Sequence, residues 1–228
     1  MRRMMDPTTE NDWSAVPLFP LPNVVLLPRA ILPLHIFEMR YRAMTVDALR
    51  GKRQIAMALL QPGWEKESRE RPALQPVVCV GTILTHQRLA DGRFNILLQG
   101  VSRCTIVRED KHEPYRTAEL ATMEEARVFE IDLDDERRRI ESVFDNPCFR
   151  DADVARQFRD LLASPMPTAD LADLITFHFL EDVQLRQLIL ADPDVRGRVQ
   201  RVVEAFEQQH SLLSAACAED FLSSPNIN

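Results

Sequence analysis

The sequence is poor in the residues that build nucleotide-binding and hydrolytic centres. Its 228 residues include only six glycines, with no G-x-x-x-x-G-K-[ST] and no G-x-G-x-x-G, so no loop is recognisable that would cradle phosphates with bare backbone amides. Lysine is scarcer still. Lys52, Lys66 and Lys111 are the whole set, none follows a serine at a spacing that suggests a Ser-Lys dyad, and no G-x-S-x-G elbow is present, which removes the common hydrolytic nucleophiles. The four cysteines, Cys79, Cys104, Cys148 and Cys217, are separated by 25, 44 and 69 residues. Without a C-x-x-C pair they read as buried free thiols rather than zinc ligands or a redox couple. The five histidines contain no H-E-x-x-H or other short pair, and no metal or cofactor is expected. His178, among Leu174, Ile175 and Phe179, reads as a core histidine.

Long apolar runs are missing too. No stretch approaches the roughly 20 residues needed to cross a bilayer, and the start Met1-Arg2-Arg3-Met4-Met5-Asp6-Pro7 has no signal-like apolar region, so a cytoplasmic protein with no membrane partner is expected. The net charge of -7 is unevenly spread: residues 1–125 hold 17 Lys and Arg against 15 Asp and Glu, residues 126–228 hold 11 against 20. Neither half concentrates the positive charge that a phosphate backbone requires, which argues against nucleic acid as a partner. The acidic run Glu130–Glu136 followed by Arg137-Arg138-Arg139 has no glycine turn and reads as a solvated helix face rather than a calcium loop.

What is present is ordered in two stretches. Nine of the 15 prolines fall in the first 76 residues, five of them between Pro17 and Pro33, where they exclude helix and suit edge strands and extended crossings. Strands are predicted at 16–20 and 31–36. Phe37, Tyr41, Met44 and Ala48 then form one helical stripe that stops at Gly51. A strand over 54–60 precedes the polar loop Gln61–Pro72. The runs beginning at Val77 and Phe94 flank Asp91-Gly92 and form a hairpin, with Gly81 and Gly100 marking bends. A last strand covers 115–123. Beyond about residue 127 the pattern is helical, with helices over 131–144, 151–163, 169–179 and 181–190. Asp192-Pro193 reads as the cap and first position of a final helix carrying Val195, Val199, Val202, Phe206 and Leu213.

One segment is more specific than any of these patterns. Val16 to Met44, together with Ile55–Gly63, Val80-Gly81-Thr82-Ile83 and Leu89–Arg103, resembles the amino-terminal domain of Lon proteases, in the form used by stand-alone Lon-domain proteins. The resemblance implies an α+β fold, a PUA-like β barrel followed by a helical bundle, divided as a disordered tail 1–13, a barrel 14–126, a helical subdomain 127–214 and a C-terminal tail 215–228. It implies a non-catalytic module that recognises unfolded or extended polypeptide, as an adaptor or chaperone-like protein working beside a protease or chaperone. It includes neither the ATPase nor the serine-lysine peptidase module of the protease. RNA binding through the barrel is the alternative, carried only by analogy of fold.

The shared residues read mostly as scaffold: prolines at strand crossings, Phe37 and Tyr41 packing the helix on the sheet, and Glu38 and Arg40 as either a cap with a surface charge or a buried pair. Trp64 stands apart. It lies in the charged loop 61–72 without periodic apolar neighbours, as a binding anchor for polypeptide or as a lid folded back over the barrel.

Overall fold

A computed structural model describes residues 13–66, 71–110, 114–145 and 153–223. Its strands are β1 (Val16–Leu21), β2 (Ile31–Ile36), β3 (Gln54–Leu59), β4 (Val77–Arg88), β5 (Phe94–Asp110) and β6 (Arg116–Thr122), with helix α1 (Met39–Arg50) between β2 and β3. The second half supplies α2 (Asp134–Phe144), α3 (Asp153–Leu162), α4 (Thr168–Phe179), α5 (Val183–Ala191) and α6 (Val195–Ser223). The fold is α+β, a mixed six-stranded sheet with helices. The order is β2-β5-β4-β3-β1-β6, antiparallel except for β1 beside β3, and β5 pairs with β6 as well.

The length of β5 explains this pairing. Its first residues pair with β2 along Phe94–Gln99, and its last with β6 along Cys104–Asp110, while β4 holds the other edge. The exchange of partners happens at Gly100. There the chain from Leu27 to Ala30 crosses so closely that a Cβ on Gly100 would lie 2.1 Å from the Leu27 carbonyl oxygen. The Gly100 N–H donates to Ala30 and its carbonyl accepts from Arg29, both at 2.9 Å. Only glycine fits such an approach. At the other end of the hairpin Gly92 has φ +82° and closes the turn.

The strands separate two apolar clusters by simple alternation. Val16 and Leu18 of β1, Ala56 and Ala58 of β3, and Val78 and Val80 of β4 join Trp13 and Leu120 in one. Ile55, Met57, Leu59 and Cys79 face the other, which continues through Ile140, Phe144, Ile175, Val199 and Phe206 of the helices. Because β3 is buried on both faces, it reads as the continuous apolar run Ile55-Ala-Met-Ala-Leu59. Trp13 is 5% exposed and its indole N–H donates to Thr122 at 2.8 Å. Cys79 and Cys104 are buried free thiols, and burial pushes Cys79 up to about 12; Cys148 and the Cys217 side chain lie outside the described residues.

Several expectations need correction. Phe37 is 61% exposed and does not pack α1 on the sheet; Tyr41, Met44 and Ala48 do, because the helix begins only at Met39. Glu38 and Arg40 form an exposed pair at 2.8 Å, and Glu38 makes no side-chain cap. His178 is exposed, edge-on to Phe158 and Phe177, because it stands in the last turn of α4, beyond the buried Leu171, Leu174 and Ile175 of the same face. Helix α6 starts at Val195, and the Asp194 carbonyl accepts its first helical bond, from Arg198 at 2.8 Å. Asp192 instead accepts from the Asp194 N–H and pairs with Arg201. The run 130–139 is a solvated face only in part. Glu130 receives the N–H and hydroxyl of Thr168 at the start of α4, and Arg137 donates to the carbonyls of Leu162, Ser164 and Met166. The 164–168 break leaves those groups without helical partners, and these two side chains supply them.

Sheet and bundle meet through charge. Arg103 of β5 donates to Asp173 of α4, and Arg198 of α6 donates to Glu125 at 2.6 Å. Arg103 also lies 3.4 Å from Glu125, and Arg198 3.8 Å from Asp173. Three of the four are at most 5% exposed. Burial pushes the Asp173 carboxyl above its ordinary range, against the pull of Arg103.

Candidate functional site

Trp64 begins a short 3-10 turn, Trp64–Lys66, that follows β3. Its N–H donates to the Gln61 carbonyl at 3.3 Å, and the Gln61 side-chain amide donates to Leu74 at 2.9 Å, so the two ends of the 61–72 loop are tied together. The indole is half-buried and packs against the apolar cluster of β1, β3 and β4. Its remaining surface faces a groove of about 770 Å³, whose other walls include Pro20 of β1 and Pro22 just after it, Tyr41 of α1, and Pro114 and Tyr115 before β6. Three elements far apart in sequence thus bring three aromatic rings to one concavity.

Each ring is held by its own contacts. Tyr41 packs on Phe19 with ring centroids 4.4 Å apart, and the Arg40 guanidinium lies 4.7 Å above it. Burial raises the Tyr41 phenol above its usual value, with Arg40 opposing. Tyr115 donates to Asp47 at 2.8 Å, and burial together with that carboxylate lifts it to about 12. Arg116 braces the loop where it returns, donating to the Pro72 carbonyl at 2.8 Å and to Glu109 at 3.0 and 2.5 Å. Both phenols therefore stay protonated at neutral pH; Tyr115 is partly exposed at the groove, while Tyr41, 8% exposed, contributes only a small open part of the wall.

A concave surface of proline and aromatic rings with a few charged groups suits an extended polypeptide: rings bury side chains at small cost in conformational entropy, and the rim orients the backbone. Among the described residues no three His, Cys, Asp or Glu side chains converge as metal ligands, and no helix is long and apolar enough to cross a membrane.

The sequence profile of the ATP-dependent protease La (LON) substrate-binding domain matches residues 15–208. The chain belongs to this Lon substrate-binding domain family. Similar proteins include the Lon protease of Desulfosudis oleivorans, 23% identical over 206 residues, covering 90% of this chain and 25% of that protein. The Lon protease of Dictyoglomus thermophilum is 25% identical over 215 residues, covering 91% and 26%. The chain thus spans about a quarter of the length of the curated relatives it matches, and the matched region is the substrate-binding domain. In structure the chain is similar to a Lon N-terminal domain protein from Xanthomonas campestris, with TM-score 0.60, 19% identity and coverage of 84% and 98%. The N-terminal domain of a Mycobacterium avium complex Lon protease gives 0.62, 16%, 85% and 98%. These likenesses carry the Lon-domain fold.

Trp64 alone is legible as a candidate in the sequence. Tyr41 reads as core from its helical spacing, and Tyr115 as part of a strand; nothing local in the sequence marks either as a neighbour of Trp64. The pairing of β1 with β6 brings Tyr115 to the end of β1.

Proposed function

We propose that the chain recognises extended or unfolded polypeptide, and that the groove walled by Trp64, Tyr41 and Tyr115 is where it does so. Membership of a substrate-binding family supports the class of ligand, and the convergence of three aromatic rings on one concavity carries the location. A role as adaptor or chaperone-like partner of a protease follows naturally from a module that binds clients and contributes no nucleophile of its own to the groove. We read the ring of pairings β5-β4-β3-β1-β6-β5 as a PUA-like barrel spanning 14–126, with 127–214 as a helical subdomain sharing its core. RNA binding is the weaker reading, because Glu38 and Glu65 stand at the groove beside its arginines and would repel phosphates.

Affinity for a flexible client is expected to be micromolar, since the entropy lost in ordering it offsets much of what apolar burial contributes. Photo-crosslinking with an unfolded, reduced and alkylated polypeptide tests the location. Adducts on Trp64, Tyr41, Tyr115 or their neighbours are the expected result; adducts confined to the helical bundle would overturn it.

A further inference from the structure

The charges at the Trp64 groove narrow the class of polypeptide it takes. Arg40, Arg71, Arg116, Glu38 and Glu65 line it, and the three cations are already engaged. Arg40 pairs with Glu38 at 2.8 Å while its guanidinium lies over the Tyr41 ring. Arg116, 12% exposed, directs its donors to Glu109 and to the Pro72 carbonyl, and Arg71 is not free either. Glu65 differs from all of them. It follows Trp64 in the same short turn and is exposed, and among the described residues nothing pairs with its carboxylate.

A further carboxylate stands behind the Tyr115 wall. Tyr115 donates its hydroxyl to Asp47 at 2.8 Å, and Asp47 forms no ion pair among the described residues, so a phenol rather than a cation sits against that charge. The open charge around the groove is therefore negative. Arg40 shows what such a place does with a cation: its planar head lies 4.7 Å above the face of Tyr41 and 2.8 Å from a Glu38 oxygen, so ring quadrupole and carboxylate attract it together. Trp64 and Glu65 bring another ring and another carboxylate to the groove. No cation of the described residues lies over that ring or pairs with that carboxylate. The remaining walls are largely apolar, with Leu21, Pro22 and Leu60 among them.

We propose that the groove selects polypeptide segments in which a lysine or arginine stands beside an apolar residue, the apolar side chain against Trp64 and Tyr115 and the cationic head at Glu65. The selection rests on the polypeptide recognition proposed above and names the class of segment recognised. Lysine and arginine suit the place on two counts. Each carries an apolar stem that can lie along the rings, and each ends in a charge that gains from a ring face and a carboxylate together. Acidic segments meet Glu65 and Asp47 as like charges and are turned away by them. Uncharged apolar segments keep the rings and lose only the contribution of the head group.

The test uses the whole chain and three fluorescently labelled peptides of about twelve residues. They share a central Phe-Leu pair in a Ser-Gly background and differ only in the two residues flanking that pair, both Lys, both Gln or both Glu. Fluorescence anisotropy at low salt is expected to rank them Lys, Gln, Glu, with at least about fivefold between first and last, and the gap should close as salt rises. Trp64→Ala weakens all three. Glu65→Gln, at an exposed position, weakens the Lys peptide about two- to threefold and leaves the Gln peptide unchanged. Glu65→Lys brings the Glu peptide level with the Lys peptide or ahead of it, and Glu65→Gln serves if that variant does not fold. Equal affinities that all fall in Trp64→Ala would overturn the charge selection and leave the groove as the binding site. A ranking unchanged by both Glu65 variants would overturn the place given to Glu65. Absence of binding by all three peptides, or binding untouched by Trp64→Ala, would overturn the groove and the selection with it.

Discussion

Removing Asp173 tests how sheet and bundle are held together. Its carboxylate sits between Arg103 and Arg198, and all three side chains are at most 5% exposed, while Glu125 is 35% exposed. Asp173→Ala leaves two buried guanidiniums facing one partly hydrated carboxylate. Losing one partner of a buried pair costs about 3–5 kcal/mol, because the remaining charge keeps its desolvation penalty and loses its compensation. For a chain of this size each kcal/mol lowers the melting temperature by about 2–4 °C, so a fall of roughly 6–20 °C is expected. The companion variant removes the pair. In Arg103→Met with Asp173→Leu the pair Arg198–Glu125 survives, and the chain should return to within about 1 kcal/mol of wild type. The raised Asp173 carboxyl points the same way, since burial already works against that charge. Urea unfolding of the single and double variants measures both effects. A loss below about 1 kcal/mol for Asp173→Ala, or a double variant less stable than the single, would refute the reasoning.

Gly100→Ala should cost about 3 kcal/mol or more, since its Cβ would meet the Leu27 carbonyl oxygen at 2.1 Å and the bonds to Arg29 and Ala30 would be pushed apart; a wild-type melting curve would contradict this. Tyr115 is expected to ionise near 12 by ultraviolet titration and Asp47→Asn to bring it back toward 10.0, so the stability it lends is complete below pH 10 and lost as pH rises toward 12. Although His178 is exposed to solvent, Phe158 and Phe177 shield part of its ring, and this partial desolvation, with Arg186 second, holds it below 6.5. Its neutral form is the one the fold favours, so the stability margin is present above pH 6.5 and shrinks as pH falls through that value. A proton NMR titration of His178 with a midpoint at or above 6.5 would refute this.

The strands of the first half, though not their order in the sheet, are largely legible in the sequence because proline, glycine and alternation act locally: 16–20, 31–36 and the Asp91-Gly92 hairpin each carry their own signal. The helix ends are less so: Glu38 does stand at the start of α1, its carbonyl accepting from Arg42, but its side chain pairs with Arg40 instead of capping, and Asp192 stands two residues short of Asp194, whose carbonyl accepts the first bond of α6. Charges are the least legible. Arg137 and Glu130 look solvated in a helical wheel and become braces only because the 164–168 break folds against them. His178 is misleading for another reason: Leu174 and Ile175 share its face and are buried in the body of α4, while His178 stands in the last turn, where that burial ends. Of the candidate site, Trp64 can be singled out because nothing local buries it. Tyr41 and Tyr115 cannot, since their approach to it depends on the pairing of β1 with β6.

Trp64→Ala, measured at once for binding of an unfolded, alkylated polypeptide and for thermal stability, bears most directly on polypeptide recognition at the groove. A ring that anchors the client should cost at least about 2 kcal/mol of binding, roughly a thirtyfold loss of affinity. Because the indole is half-buried against its apolar cluster, stability should fall by about 1–2 kcal/mol, less than the roughly 3–5 kcal/mol typical of a fully buried tryptophan. Wild-type affinity in a folded Trp64→Ala protein would contradict the account.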